Sequence, residues 1–498
     1  MSANTHKLPR LAETEVGFRH IMVDTDIGFR HNMANPDVGF RQMMELTMKR
    51  IAMKRLIDWK DSDNRKPLLV NGARQVGKTW LVREFAQEHF KGLAHVVFLD
   101  NEEMQQAFDR SLNPEALLTF IGIATGTNPH DGETLVFLDE IQECPRAITA
   151  LKLFQEQLPH IPVVAAGSLL GVALNRKGHD TRKEASASWP VGKVSYLDMH
   201  PMTFPEFVAA TEGDSLASIL DGKDTSLISA FSERLTDLLR IYLFVGGMPE
   251  AVQSFVNARD FSEVREIQRE LLKGYELDFS KHVDSPLMTE RIRATWKSAP
   301  LQLARESDMK RFTYAAIKTG ARGRDYRDAV SWLVDAGLVT KVPRISKPGI
   351  PLGAYVDESY FKLYLLDVGL LGAAMNLSSR TIIEGDRLFT EYKGAYAEQY
   401  VCQQLAALSN TEPYYWSADG KQMKGEVDFI CEFDGEVYPI EVKAAENIAG
   451  GSLAAFVKKY GIDRAIRFSL LDFKDQDWLI NVPLYAIDSI EYLLEKCS

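Results

Sequence analysis

The sequence predicts an α/β fold class in about three domains, and three observations predict it. Between Lys66 and Phe207, short apolar runs alternate with amphipathic stretches of helical period, the pattern of a parallel sheet with crossover helices. After Phe207 the pattern turns helical. Near the C terminus, alternating strands return about a hairpin from Gly425 to Ala444. The chain has 498 residues, enough for about three domains of roughly 150 residues, each able to bury a core without disulfide or metal staples.

Composition narrows the class further. With 45% hydrophobic and 26% charged residues, the chain is ordinary globular protein and not a disordered one. Its 58 Lys+Arg against 69 Asp+Glu leave a net charge of -11, which excludes binding to nucleic acid by bulk charge. Cys144, Cys402, Cys431 and Cys497 form no C-x-x-C pair, so neither a zinc site nor a disulfide framework is expected, which suits a reducing compartment. The longest apolar stretch, Val163 to Leu174, is broken by Gly167, Ser168 and Gly171 and falls short of the ~18 apolar residues of a membrane-spanning helix. The start of the chain has no apolar signal-peptide core. A cytoplasmic protein with no membrane partner is the expectation.

Residues 1–47 form an N-terminal repeat tail. The phrases EVGFRH, DIGFRH and DVGFRQ place Phe18, Phe29 and Phe40 at a constant interval of 11 residues. Such a period suits a right-handed supercoil, but the glycines beside each Phe and Pro36 leave no continuous stripe, and the composition favours disorder. A third reading is a translated duplication upstream of a natural start at Met48 or Met53.

From Lys66, KPLLVNGARQVGKTWLVREFA reads as a strand, a glycine-bounded loop and an amphipathic helix with Leu81, Val82 and Phe85 on one side. Within it Gly72, Ala73, Arg74, Gln75, Val76, Gly77, Lys78 and Thr79 match G-x-x-x-x-G-K-[ST] in full. The glycines let backbone N–H groups and a helix N-terminus converge on phosphates. Lys78 is expected at the β/γ-phosphates and Thr79 at Mg²⁺, so ATP and Mg²⁺ are the expected ligands.

A second run, Ala94 to Asp100, precedes a third, TLVFLDEIQECP, which ends in two acids. Asp139 is placed to hold Mg²⁺ and Glu140 to polarise the attacking water. Four apolar residues followed by Asp-Glu are a common strand end. Following the phosphate loop with one extra strand between, they favour hydrolysis over transfer to a small acceptor. A fourth run, PVVAAGS, ends at Ser168.

Residues 285–350 hold 13 Lys+Arg and 6 Asp+Glu, the one basic island in an acidic chain. There KRFTYAAIKTGARGRDYRDAVSWLVDAGLVTKV reads as a helix, a turn at Gly320 to Gly323, a second helix with Tyr326, Val330, Trp332 and Leu333, and a short strand, the layout of a winged helix-turn-helix. Arg322, Arg324 and Arg327 open the second helix, where DNA contacts are made. The alternative is a basic packing module that answers the acidic remainder.

The segment GEVDFICEFDGEVYPIEVKA reads as two alternating strands about an Asp434-Gly435 turn. With that pair as the loop, Phe433 faces Glu436, Asp428 faces Glu441 and Glu426 faces Lys443. Val427, Phe429, Cys431, Phe433, Tyr438, Ile440 and Val442 fall on an apolar face, and the carboxylates and Lys443 on the other. Two carboxylates across a ladder repel, and a divalent cation between them removes that cost, with Lys443 near a hydroxide or a leaving oxygen. The alternative is a solvated strand face with an exposed Glu426–Lys443 pair. Residues 360–498 carry 13 Lys+Arg and 21 Asp+Glu, a poor surface for a DNA backbone unaided.

The hairpin resembles the PD-(D/E)XK nuclease core, with Asp428 on one strand and Glu441-x-Lys443 on the next. The resemblance implies a metal at Asp428 and Glu441 with Glu398, from the preceding helix, as a further ligand, and catalysis by Asp428, Glu441 and Lys443. From Met48 onward the chain as a whole resembles a family of bacterial and archaeal AAA-type ATPases with a restriction-endonuclease-like C-terminal half. The phrases KPLLVNGARQVGKTW, LVFLDEIQECP, PMTFPEF, GGMPEAV, FKLYLLDVGLL, VDFI and PIEVKA carry it. The resemblance implies ATP binding and a polar sensor at Ser168. Lys193, expected after the fifth strand, stands where related ATPases often place an Arg, so the transition-state stabiliser is unassigned.

The expected organisation is therefore a tail (1–47), a P-loop AAA-type ATPase domain (48–210), a helical lid or linker (211–284), a basic winged-helix-like region (285–355) and a nuclease-like domain (356–498). The expected activity is ATP hydrolysis that controls the C-terminal half acting on DNA. The alternative is a nucleotide-sensing regulator that binds DNA or a protein partner without cutting, and an oligomer is compatible with either.

Overall fold

Each short apolar run of the N-terminal half is a strand, and every pairing in that sheet is parallel. β1 (Leu68–Gly72), β2 (Gly92–Val97), β3 (Thr134–Asp139), β4 (Val163–Ala166) and β5 (Ser195–Met199) stand in the order β2-β3-β4-β1-β5. The computed structural model describes residues 48–168, 170–171, 189–283, 285–304, 311–379, 393–408, 412–418, 425–443 and 451–497. The repeats with Phe18, Phe29 and Phe40, and the rest of the expected tail, lie outside them.

All six residues of β3 and all four of β4 are buried, as expected of strands covered on both faces. Phe98, Phe108, Leu118, Ile148, Leu151 and Phe154 fill one side of the sheet. The helix α1 (Lys78–His89) lays Leu81, Val82 and Phe85, all fully buried, against it. The extra strand expected between the phosphate loop and the acid pair is present in the sheet, but its source differs. The run from Ala94 becomes the edge strand β2, and β4 takes the place between β1 and β3, pairing Val70 with Ala166 and Leu138 with Ala165. The helix α2 (Pro145–Gln157) connects β3 to β4.

After β5, α3 (Phe204–Glu212) begins with a capping box in which the Thr203 side chain accepts from the Glu206 N–H and the Glu206 carboxylate accepts from the Thr203 N–H. It runs through the boundary expected at 210. The helical middle includes α4 (Ser232–Val245) and α5 (Phe261–Asp278). Between them the Gly246-Gly247 turn meets the chain end of β5: the Met202 N–H donates to the Gly247 carbonyl at 2.6 Å and the Gly247 N–H to Asp367 at 2.6 Å. Two phrases far apart in sequence, GGMPEAV and FKLYLLDVGLL, thus meet.

In the basic island, α6 (Pro286–Leu303) is followed by α7 (Gly323–Asp335). The helix expected just before Gly320 is instead a single 3-10 turn, Tyr314–Ala316. Phe312 N–H bonds to the Phe361 carbonyl at 2.8 Å, and this extended backbone leaves room for only one turn before the glycines. β6 (Val339–Ile345) and β7 (Val356–Leu365) form an antiparallel hairpin, which crosses the boundary expected at 355.

The C-terminal sheet is mixed. After the helix α8 (Lys393–Leu408) come β8 (Tyr414–Ser417), β9 (Glu426–Phe433), β10 (Glu436–Lys443), β11 (Ala465–Ser469), β12 (Lys474–Gln476) and β13 (Leu479–Pro483), in the order β12-β13-β11-β10-β9-β8-β6-β7. β9 and β10 pair as the turn arithmetic requires, Phe433 with Glu436 and Phe429 with Ile440. Asp434 (φ 48°) and Gly435 (φ 79°) both adopt the left-handed conformation of a two-residue hairpin loop. Among the described residues no helix is long and apolar enough to cross a membrane.

Candidate functional site

The C-terminal end of β1 opens into the phosphate loop. At Gly72 (φ 149°) a Cβ would lie 2.4 Å from the Met199 carbonyl oxygen, so the strand can leave the sheet there only as glycine. Gln75 (φ 67°) and Gly77 (φ 92°) turn the loop back into α1. Gly77 is the N-cap and no side chain caps the helix, so its first-turn N–H groups and positive dipole end are left for an anion.

Lys78 is buried, and its Nζ donates to the carbonyls of Gly72 at 2.9 Å and Ala73 at 2.8 Å. Burial lowers its pKa to about 8, opposed by Glu140 and Asp139 and assisted by Arg74. Thr79 Oγ1 donates to Asp139 Oδ2 at 2.9 Å. His95, stacked on Phe137 with ring centroids 4.6 Å apart, brings Nε2 within 3.3 Å of the same oxygen.

Glu140 sits in the left-handed region at φ 51°, ψ 45°, a conformation that costs a non-glycine residue of order 1 kcal/mol or more and recurs at active sites. Its N–H donates to Asp139 Oδ1 at 3.0 Å, Gln142 Nε2 donates to its Oε2, and Ser168 Oγ lies 3.4 Å from the same oxygen. The structure thus gathers Gly72, Lys78, Thr79, Asp139, Glu140 and Ser168 at one end of the sheet. Lys193 does not join them. It precedes β5 instead of following it, and its Nζ pairs with Glu156 of α2 at 3.0 Å. A residue that motif reading passes over, Arg50, is buried beside the loop: Nη1 donates to the Val76 carbonyl at 2.7 Å, Nη2 to the His200 carbonyl at 2.6 Å, and Nε to Glu206 at 3.1 Å. It lies before the motif, beside an amphipathic helix, Ala52–Lys60, that already carries four charged residues, so nothing local in the sequence marks it.

The C-terminal carboxylates have a different arrangement from the expected metal site. Lys362 of β7 is fully buried. Its Nζ lies 2.5 Å from Glu426 and 3.3 Å from Glu398, and Tyr364 OH donates to Glu398 at 3.0 Å. Burial pulls the Lys362 pKa down, but Glu398, Glu426 and Asp428 push harder the other way and hold it above the ordinary lysine value. Asp428 Oδ2 accepts from the Val442 N–H at 2.8 Å. Glu441 is buried with Lys443 at 3.1 Å and Arg467 of the parallel neighbour strand at 3.5 Å.

Three expectations are corrected by this geometry. Glu398, Asp428 and Glu441 do not form a metal-binding group: among the described residues, no three His, Cys, Asp or Glu side chains are placed to hold a metal ion. Glu426 pairs with Lys362 and not with Lys443. The polar face is only partly solvated: Ile430, Pro439 and Glu441 on it are buried, while Glu426, Asp428 and Lys443 keep partial exposure. Lysine and arginine supply the positive charge that the opposed carboxylates require.

Three family matches fall on separate parts of the chain. Residues 64–208 match an AAA domain, 236–381 a domain of unknown function, DUF8612, and 393–485 another, DUF4143. With the parallel sheet and the loop geometry, the first makes residues 64–208 a P-loop AAA-type domain. Among solved structures, the Walker-type ATPase of Pyrococcus abyssi aligns with 66% of this chain and 96% of its own at 17% identity and a TM-score of 0.39. The Aeropyrum pernix ORC1 protein in complex with DNA aligns with 65% and 91%, at 14% identity and a TM-score of 0.27. No curated protein matches.

Proposed function

We propose that the chain is a Mg²⁺-dependent ATP hydrolase whose nucleotide state is relayed to a basic winged-helix-like region and to a nuclease-like C-terminal half that binds without cutting. The observation that carries the first part is the contact of Thr79 with Asp139 beside Glu140 at the mouth of the phosphate loop. Lys78 would exchange the Gly72 and Ala73 carbonyls for the β- and γ-phosphate oxygens of ATP. Thr79 and Asp139 fit Mg²⁺, a hard cation that takes oxygen ligands and, when bound, neutralises phosphate charge. Glu140, held by Gln142 and Ser168, would accept the proton of the attacking water. Lys78→Ala is expected to abolish ATP binding, and Glu140→Gln to keep binding while slowing hydrolysis at least ~100-fold. A Lys78→Ala protein that hydrolyses Mg·ATP like the parent would remove the reading.

The non-cleaving reading of the C-terminal half is favoured by Lys362. The topology of β8 to β11 after α8 supports a nuclease-like core, but Glu398 is paired with Lys362 and Glu441 with Lys443, and Asp428 accepts from the Val442 N–H. The exposed Arg322, Arg324 and Arg327 at the start of α7, with the β6–β7 hairpin as the wing, support DNA as the partner.

A further inference from the structure

A P-loop hydrolase needs a positive charge to steady the transferring phosphoryl group; Lys193, which stands where related ATPases often place an Arg, is held away by Glu156 and leaves that role unassigned. We infer that Arg74 supplies this charge from within the phosphate loop itself. The inference rests on the ATPase reading and names a catalytic residue that reading lacks.

Position is the first ground. Arg74 Nε lies 3.3 Å from Ser168 Oγ, which in turn lies 3.4 Å from the Glu140 carboxylate. The guanidinium is therefore on the side of the loop where water would be activated. Its charge is also felt at Lys78, whose pKa it helps to lower. Arg50, the other arginine at the loop, is buried and fully engaged by Val76, His200 and Glu206.

The second ground is how the side chain is held. Nη1 pairs with Asp278 at 2.5 Å and Nη2 lies 3.1 Å from His282 Nε2, while Tyr275 OH donates to the Arg74 carbonyl at 2.8 Å. All three partners come from the end of α5 and the turn after it. The Arg74 side chain is 32% exposed and Asp278 only 10%, so a buried carboxylate holds a guanidinium that solvent still reaches, whereas Arg50 is buried. A planar guanidinium offers paired N–H donors that match two phosphoryl oxygens, and the multiply charged γ-phosphate outcompetes a single carboxylate.

In the reaction the water oxygen bonds to the γ-phosphorus as the bond to the bridging oxygen breaks, ADP leaves with that electron pair, and the water proton passes to Glu140. Arg74 exchanges no proton. It compensates charge on the equatorial and leaving oxygens.

The test uses the full-length chain, with hydrolysis measured at saturating Mg·ATP and ADP affinity measured separately. Arg74→Ala is expected to lose at least ~100-fold in turnover, to bind ADP within about threefold of the parent, and to recover part of its rate on addition of guanidinium ion. Arg74→Lys, which keeps charge but not the fork, is expected between the two. A parent that hydrolyses ATP alongside an Arg74→Ala variant within about fivefold of it overturns this inference alone. Equal losses of ADP affinity and turnover without guanidinium rescue also overturn it, since they describe a merely structural tie to α5. A parent that does not hydrolyse ATP overturns the ATPase reading and this one with it.

Discussion

Gly247 has no side chain because none fits. A Cβ there would lie 2.1 Å from the Met202 carbonyl oxygen, and the residue's own N–H and carbonyl bind Asp367 and Met202. Asp367 is fully buried and also accepts from the Leu370 N–H at 2.9 Å. Gly247→Ala must push β5's exit away from the turn and take one N–H donor from the buried Asp367 carboxylate, at a cost of about 3 kcal/mol. Gly274, within α5, has open space where a Cβ would stand, with nothing within 4 Å, and no positive φ, so Gly274→Ala is expected to stabilise by about 1 kcal/mol through helix propensity alone. Urea unfolding of the two variants beside the parent should separate them in opposite directions; equal midpoints would mean that the Met202 contact is loose. The glycine pair is legible in sequence as a turn. Its partners are not, because Met202 and Asp367 lie in other elements and nothing local marks them.

The β9–β10 hairpin shows what an element reveals in sequence and what it hides. Asp434-Gly435 fixes a two-residue loop, the loop fixes the register, and Asp428 and Glu441 follow as acids on its polar face, whereas Glu398 is implied only by the resemblance to the nuclease core. The third dimension adds Lys362, from a strand that precedes the hairpin by a helix and more. The available mark was its setting: a lysine between Phe361 and Leu363 in a run that must be buried implies a partner of opposite charge. Lys362→Met should leave Glu398 and Glu426 uncompensated and cost about 3–5 kcal/mol. The triple change Lys362→Met/Glu398→Gln/Glu426→Gln should recover most of that, because it removes the charges together. The sign of the pH dependence agrees. A lysine raised in the folded state contributes stability that is fully present below its ordinary value of 10.5 and lost as pH climbs past it. Equal stability of Lys362→Met and the parent in urea at neutral pH would show that no ion pair holds these strands together.

At the scale of the molecule, the P-loop and the C-terminal half are anchored on one stretch of chain, His200 to Phe204. Arg50 ties the Val76 carbonyl to the His200 carbonyl, Tyr242 OH donates to the Met202 carbonyl, and Gln403 and Gln404 of α8 reach Tyr242 OH at 3.0 Å and the Phe204 N–H at 2.9 Å. The end of α5 touches the loop at Arg74 and the basic island through Phe279, whose ring centroid is 5.3 Å from that of Trp332 on α7. Nucleotide at the loop and DNA at Arg322, Arg324 and Arg327 would therefore act on neighbouring elements, and any coupling between them is reciprocal. The net charge of -11 leaves the proposed DNA contact to this local surface, so its affinity should fall steeply with salt. Replacing the three arginines with Ala should lower the slope of log K against log salt by roughly 2 to 3, about 0.9 for each phosphate no longer neutralised. Fluorescence anisotropy with a labelled duplex between about 50 and 200 mM salt reads the slope directly, and the same mixtures with Mg²⁺ should keep the duplex intact while the Glu140→Gln protein loaded with ATP shifts its affinity relative to ADP. An unchanged slope in the triple variant would place DNA elsewhere or nowhere on the molecule, and duplex cleavage that Asp428→Ala abolishes would restore the nuclease that Lys362 argues against.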